Sequence, residues 1–165
     1  MFKDIFSYKV DLPFKDEIIE EAIKQRDYKT EGFNFLLHTK YRADLYDIFI
    51  SKCKELFKNI DILEEEFNVW CSVSDKNYTL TNWHNHQDTA NINGVIYLKL
   101  CSNEKGIDFK INDKVVNYIP CENELIIFPS YLWHHPNVSI TDEKRISLNL
   151  ELLTKQSTKD LFNEI

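Results

Sequence analysis

Four of the five histidines stand in two tight groups, Trp83-His84-Asn85-His86-Gln87-Asp88 and Leu132-Trp133-His134-His135. In an extended strand the side chains at i, i+2 and i+4 share one face. His84, His86 and Asp88 therefore form one row. Two neighbours of that row and one histidine from the distant group would offer three ligands to one side of a metal ion. The opposite positions would stay open, as in the facial triad of non-haem Fe(II) oxygenases. Any one of these histidines alone would more simply be a satisfied, half-buried imidazole. Two separate clusters are a stronger signal than either by itself. A closed structural zinc site ordinarily recruits cysteine, and no cysteine lies near either group in sequence. His38 stands alone and reads as a structural or surface residue.

A second constellation begins eleven residues after His134. Arg145, Ser147, Asn149 and Glu151 alternate with Ile146, Leu148, Leu150 and Leu152. A strand here would have one apolar and one polar face. Taken alone, such a pattern usually means a solvent-facing side. Coupled to the histidine clusters, the polar face reads as part of a site. A guanidinium fork beside a hydroxyl is well shaped to hold a carboxylate.

The elements that must carry these residues change character along the chain. Residues 16–25 place Ile18, Ile19, Ala22 and Ile23 at helical spacing, after Pro13 ends an extended piece. A longer helix is expected over 43–57, with Leu45, Ile48, Phe49, Cys53 and Phe57 as its apolar stripe. Strands are then expected over 67–73, 78–86, 94–100, 107–111, 115–119, 125–128 and 145–152, with a hairpin turn at Asn112-Asp113. A short helix closes the chain over 158–164. Helices first and tightly connected strands after predict one mainly β domain over 1–165. Its helical part covers about 1–66 and its β core about 67–153, an antiparallel sandwich or barrel with helices packed outside.

The composition fits that picture. At 165 residues, with 43% hydrophobic and 28% charged, the chain can bury a core and carries no sign of disorder. The net charge of −7 counts against a nucleic-acid backbone as partner. Cys53, Cys71, Cys101 and Cys121 are far apart and form no C-x-x-C pair, which suits reduced thiols in a cytoplasmic protein. Met1-Phe2-Lys3-Asp4 is charged where a signal peptide needs an apolar run, and no stretch approaches the roughly 20 residues of a membrane span. The oligomeric state is not fixed by the sequence, and a homodimer is allowed.

Three blocks in order, WHNHQDTANINGVIYL at 83–98, IIFPSYLWHHPN at 126–137 and RISLNL at 145–150, resemble the 2-oxoglutarate- and Fe(II)-dependent oxygenase superfamily. They are most similar to its short bacterial and phage members, with an H-x-H segment, a Phe-Pro-Ser-x-Leu-x-His block and an Arg-x-Ser strand. The resemblance implies a double-stranded β-helix (a jelly roll, cupin-like) with flanking N-terminal helices. It also implies Fe(II), 2-oxoglutarate and dioxygen, and hydroxylation of a substrate that the sequence does not name. On this resemblance His134 is the distal iron ligand and His135 a neighbour pointing away. Arg145 and Ser147 hold the far carboxylate of 2-oxoglutarate, and Tyr97 assists. Gly94 matches a glycine of the group, whereas Asn93 replaces its usual serine.

Two sets of proximal ligands stay open. The superfamily's H-x-D is matched by His86 and Asp88, the nearer group's H-x-H by His84 and His86. A carboxylate keeps the site charge nearer that of the usual triad, which favours His86, Asp88 and His134 and leaves His84 beside the metal or facing substrate. Trp83, Trp133 and Tyr131 border the ligands and are expected to form a dry wall. Two other classes remain: a cupin-type metal-dependent dioxygenase or isomerase without 2-oxoglutarate, and a non-catalytic jelly-roll binding domain. Arg145 discriminates the first, having no cosubstrate carboxylate to bind there. Intact histidine clusters speak against the second.

Overall fold

The alternation read from residues 145–152 is realised in a strand buried on both faces. A computed structural model describes residues 4–25, 41–76, 82–137 and 141–165; His38 and much of the strand expected over 78–86 lie outside them. The elements are β1 (Phe6–Lys9), α1 (Lys15–Gln25), α2 (Tyr41–Leu56), β2 (Ile62–Ser74), β3 (Ile92–Lys99), β4 (Ile107–Ile111), β5 (Lys114–Tyr118), β6 (Glu124–Pro129), β7 (His134–Pro136), β8 (Arg145–Thr154) and α3 (Thr158–Asn163). β1, β6, β3, β8 and β2 form a five-stranded sheet in that order, and β5, β4 and β7 a three-stranded one. All pairings are antiparallel. The two curled sheets make the mainly β jelly roll expected from the sequence.

The large sheet is apolar on its outer face because the helices cover it. Leu45, Phe49 and Cys53 of α2 and Ile18 and Ala22 of α1 pack with Val69, Cys71, Ile96, Ile127, Leu148 and Leu150. Gly94 allows this close approach. A Cβ there would lie 2.6 Å from a ring carbon of Phe49. The inner face packs against the small sheet through Val95, Tyr97, Ile107, Phe109, Ile126 and Phe128. Ser157 caps α3, its hydroxyl accepting from the backbone N–H of Asp160.

Two elements differ from the expected set. The chain from Asn82 to His86 is not a continuous strand; it makes a single antiparallel bridge between His84 and His134. β7 was not anticipated, since three residues are too few to show an alternation. Among the described residues no helix is long and apolar enough to cross a membrane.

Candidate metal centre

His84 and His134 exchange backbone hydrogen bonds, His84 N–H to His134 O at 3.1 Å and the reverse at 2.9 Å. That pairing sets the two side chains opposite each other on one face, with ring centroids 4.4 Å apart. His86 is held separately, its N–H donating to Ser130 O at 2.9 Å. Its ring lies 5.1 Å from that of His84 and 5.2 Å from that of His134. One ligand atom from each of the three histidines lies within 4.8 Å of the others.

One nitrogen of every ring is already committed. Nδ1 of His84 donates to Asn82 O at 2.9 Å, and Nδ1 of His134 to Leu132 O at 2.8 Å. A carbonyl oxygen can only accept, so both protons sit on Nδ1. Nδ1 of His86 meets the Glu151 carboxylate at 2.6 Å. Three Nε2 lone pairs are left for the space between the rings, the donor set of a divalent ion with imidazole preference. Burial, then the neighbouring imidazoles, pushes His134 down to about 3, and burial lowers His84 as well. Both rings are therefore neutral near pH 7, the form that binds metal.

Asp88 does not join this group. Thr89 N–H and Ala90 N–H both donate to His86 O, at 3.0 and 2.9 Å, and this turn carries Asp88 out to an exposed position. The expected row of i, i+2 and i+4 side chains requires an extended strand, which the turn ends. Of the two ligand sets left open by the sequence, the structure gathers His84, His86 and His134 rather than His86, Asp88 and His134.

The three histidines line a cavity of about 170 Å³, well above the ~10–15 Å³ that one water needs. Tyr97, Arg145 and Ser147 line the same cavity, with Trp70, Ser72, Val95, Ile107 and Asn149 completing much of its wall. Tyr97 is wholly buried, and its hydroxyl proton finds no acceptor among the described residues. Leaving such a group unpaired costs ~1–3 kcal/mol, so an acceptor ligand in the cavity would find a donor waiting. Burial raises the phenol to about 12, opposed by the nearby guanidinium. The Arg145 guanidinium lies 5.3 Å over the Tyr97 ring. Its Nη1 donates to Gly106 O at 3.2 Å and is 3.4 Å from the Glu104 carboxylate.

The expected aromatic wall is different. Tyr131 and Trp133 lie in the turn before β7, 37% and 47% exposed and outside the cavity lining. His135 points away as expected, its ring edge-on to Trp83 at 4.3 Å. The aromatic in the cavity is Trp70, whose ring is 6.0 Å from that of His86. Sequence reasoning gave no role to Trp70, Glu104 or Glu151. Glu151 was nonetheless on the polar face that its alternation drew.

No protein-family model and no curated protein sequence matches the chain. Solved structures do. A prolyl 4-hydroxylase from Phytophthora capsici superposes with a TM-score of 0.71 at 13% identity, over 93% of this chain and 59% of that one. A Pseudomonas putida prolyl-4-hydroxylase gives 0.65 at 13% identity, over 91% and 92%. HygX from Streptomyces hygroscopicus, with nickel and 2-oxoglutarate bound, gives 0.65 at 7% identity, over 92% and 82%. The chain thus spans about three fifths of the first of these and nearly all of the second. The fold is the jelly roll that these solved structures share.

Proposed function

We propose that this protein is an Fe(II)- and 2-oxoglutarate-dependent oxygenase that hydroxylates a substrate yet to be identified. The observation that carries the reading is the shared cavity, lined by the imidazole cluster and by Arg145, Ser147 and Tyr97. The similarity to hydroxylases and to HygX with nickel and 2-oxoglutarate supports it. Four free cysteines, three of them buried, fit a cytoplasmic setting.

His84, His86 and His134 would hold Fe(II) through Nε2, and their Nδ1 hydrogen bonds keep the rings from turning. When bound, the iron supplies dioxygen activation coupled to decarboxylation of the oxo acid. The chain's own contribution is placement. Arg145 sets a positive charge against the far carboxylate of the cosubstrate, and Ser147 and Tyr97 donate hydrogen bonds to it. Tyr97 keeps its proton at physiological pH, so it acts as a donor throughout. Val95, Ile107 and Pro136 line the cavity with apolar surface, which strengthens those charge-assisted contacts.

One observation favours a second reading. Arg145 already has a carboxylate neighbour in Glu104, so it does not require a ligand anion. A metal-dependent jelly-roll dioxygenase or isomerase working without 2-oxoglutarate would keep that pair as plain structure. Titration of 2-oxoglutarate into the anaerobic Mn(II)-loaded protein separates the two. The oxygenase reading expects one site per chain, weakened at least tenfold in Arg145→Ala, since roughly 1.4 kcal/mol is a factor of ten. Metal affinity should stay unchanged. No binding by the wild type would put the second reading first.

A further inference from the structure

Three neutral imidazoles leave a divalent ion its full double charge, whereas the usual two histidines and one carboxylate remove one unit of it. The missing carboxylate stands one imidazole farther out. Glu151 on β8 is 6% exposed, and its Oε1 lies 2.6 Å from His86 Nδ1. The same oxygen accepts from Thr89 Oγ1 at 3.2 Å. Thr89 belongs to the turn that closes on the His86 carbonyl, so Glu151 holds both the ring of His86 and the backbone beside it.

Among the described residues no lysine or arginine forms an ion pair with Glu151. Its cross-strand neighbours are Asn68 on β2 and Asn93 on β3. Asn93 is itself buried, and neither amide atom has a partner among the described residues. Among the described residues the ion-pair partner of Glu151 is His86. A buried carboxylate is costly unless a positive charge answers it. Among the described residues, His86 links this carboxylate to the metal's charge.

We propose that Glu151 is a positioning residue that orients His86 and supplies, through that ring, the negative charge that the all-histidine centre lacks. The proposal rests on the metal-site reading above. It assigns the carboxylate of the facial triad to the layer behind the ligands, on a different strand from Asp88.

The test is titration of Co(II) into metal-free protein, followed by its visible absorption, for the wild type and for Glu151→Gln, Glu151→Asp and Glu151→Ala. Circular dichroism monitors the fold. Gln keeps the shape and an oxygen acceptor toward Nδ1 and removes the charge, whereas Asp keeps the charge on a shorter arm. Gln and Ala are expected to weaken Co(II) binding about 10–100-fold, the usual cost of losing a carboxylate behind a ligating histidine, and to shift the cobalt bands. Asp is expected to bind more tightly than Gln. Wild-type affinity in Gln, or Gln binding more tightly than Asp, overturns the proposal. A wild type that binds no cobalt, or a His134→Ala variant that binds it equally well, overturns the metal site itself.

Discussion

Each histidine of the cluster is useful because of what holds its far nitrogen. Asn82 O, Leu132 O and the Glu151 carboxylate fix the three rings and direct the remaining lone pairs to one place. Asp88 has no such role, since it is exposed on the turn after His86. The prediction is a ranking. His84→Ala should lose nearly all bound metal, and Asp88→Ala should keep close to one ion per chain, as measured by elemental analysis after dialysis. The reverse ranking would return Asp88 to the ligand set. The structure gathers His84 and His86 with His134, whereas the turn that carries Asp88 away rests on two N–H groups converging on one carbonyl, which residue types do not show.

At the level of elements, the small sheet presents His134 and backs Arg145. Gly106 just precedes β4 with φ +74°, and its carbonyl accepts from the Arg145 guanidinium. A Cβ at this position would sit 2.0 Å from Tyr118 O. Gly106→Ala should therefore cost more than the ~1–2 kcal/mol of the left-handed backbone alone and weaken 2-oxoglutarate binding as Arg145 loses its support. Chemical denaturation with the same ligand titration checks both; an unchanged midpoint would show that the turn relaxes freely. Most elements were legible from pattern. α1, α2, β3, β4, β5, β6 and β8 fall within a few residues of their expected spans. Asn112 and Asp113 take φ of 49° and 61°, the left-handed pair that a two-residue hairpin demands. β7 and the broken stretch before His86 were not legible, because each is defined by partners across the barrel.

For the molecule as a whole, identities of 7–13% with TM-scores of 0.65–0.71 mean that the jelly roll is kept by alternation and packing more than by particular residues. α1 and α2 cover one face of the large sheet, and the other face carries polar residues at the cavity beside its apolar contact with the small sheet. That division explains how Arg145, Ser147, Asn149 and Glu151 can all face inward on one strand. The central claim is that metal and 2-oxoglutarate meet in this one cavity. Its most direct test is the visible absorption of the anaerobic protein as Fe(II), and then 2-oxoglutarate, are added. The account predicts a charge-transfer band that appears with the oxo acid, saturates at one equivalent per chain, and is lost in His134→Ala. Iron binding with no such band at any concentration of 2-oxoglutarate would contradict it.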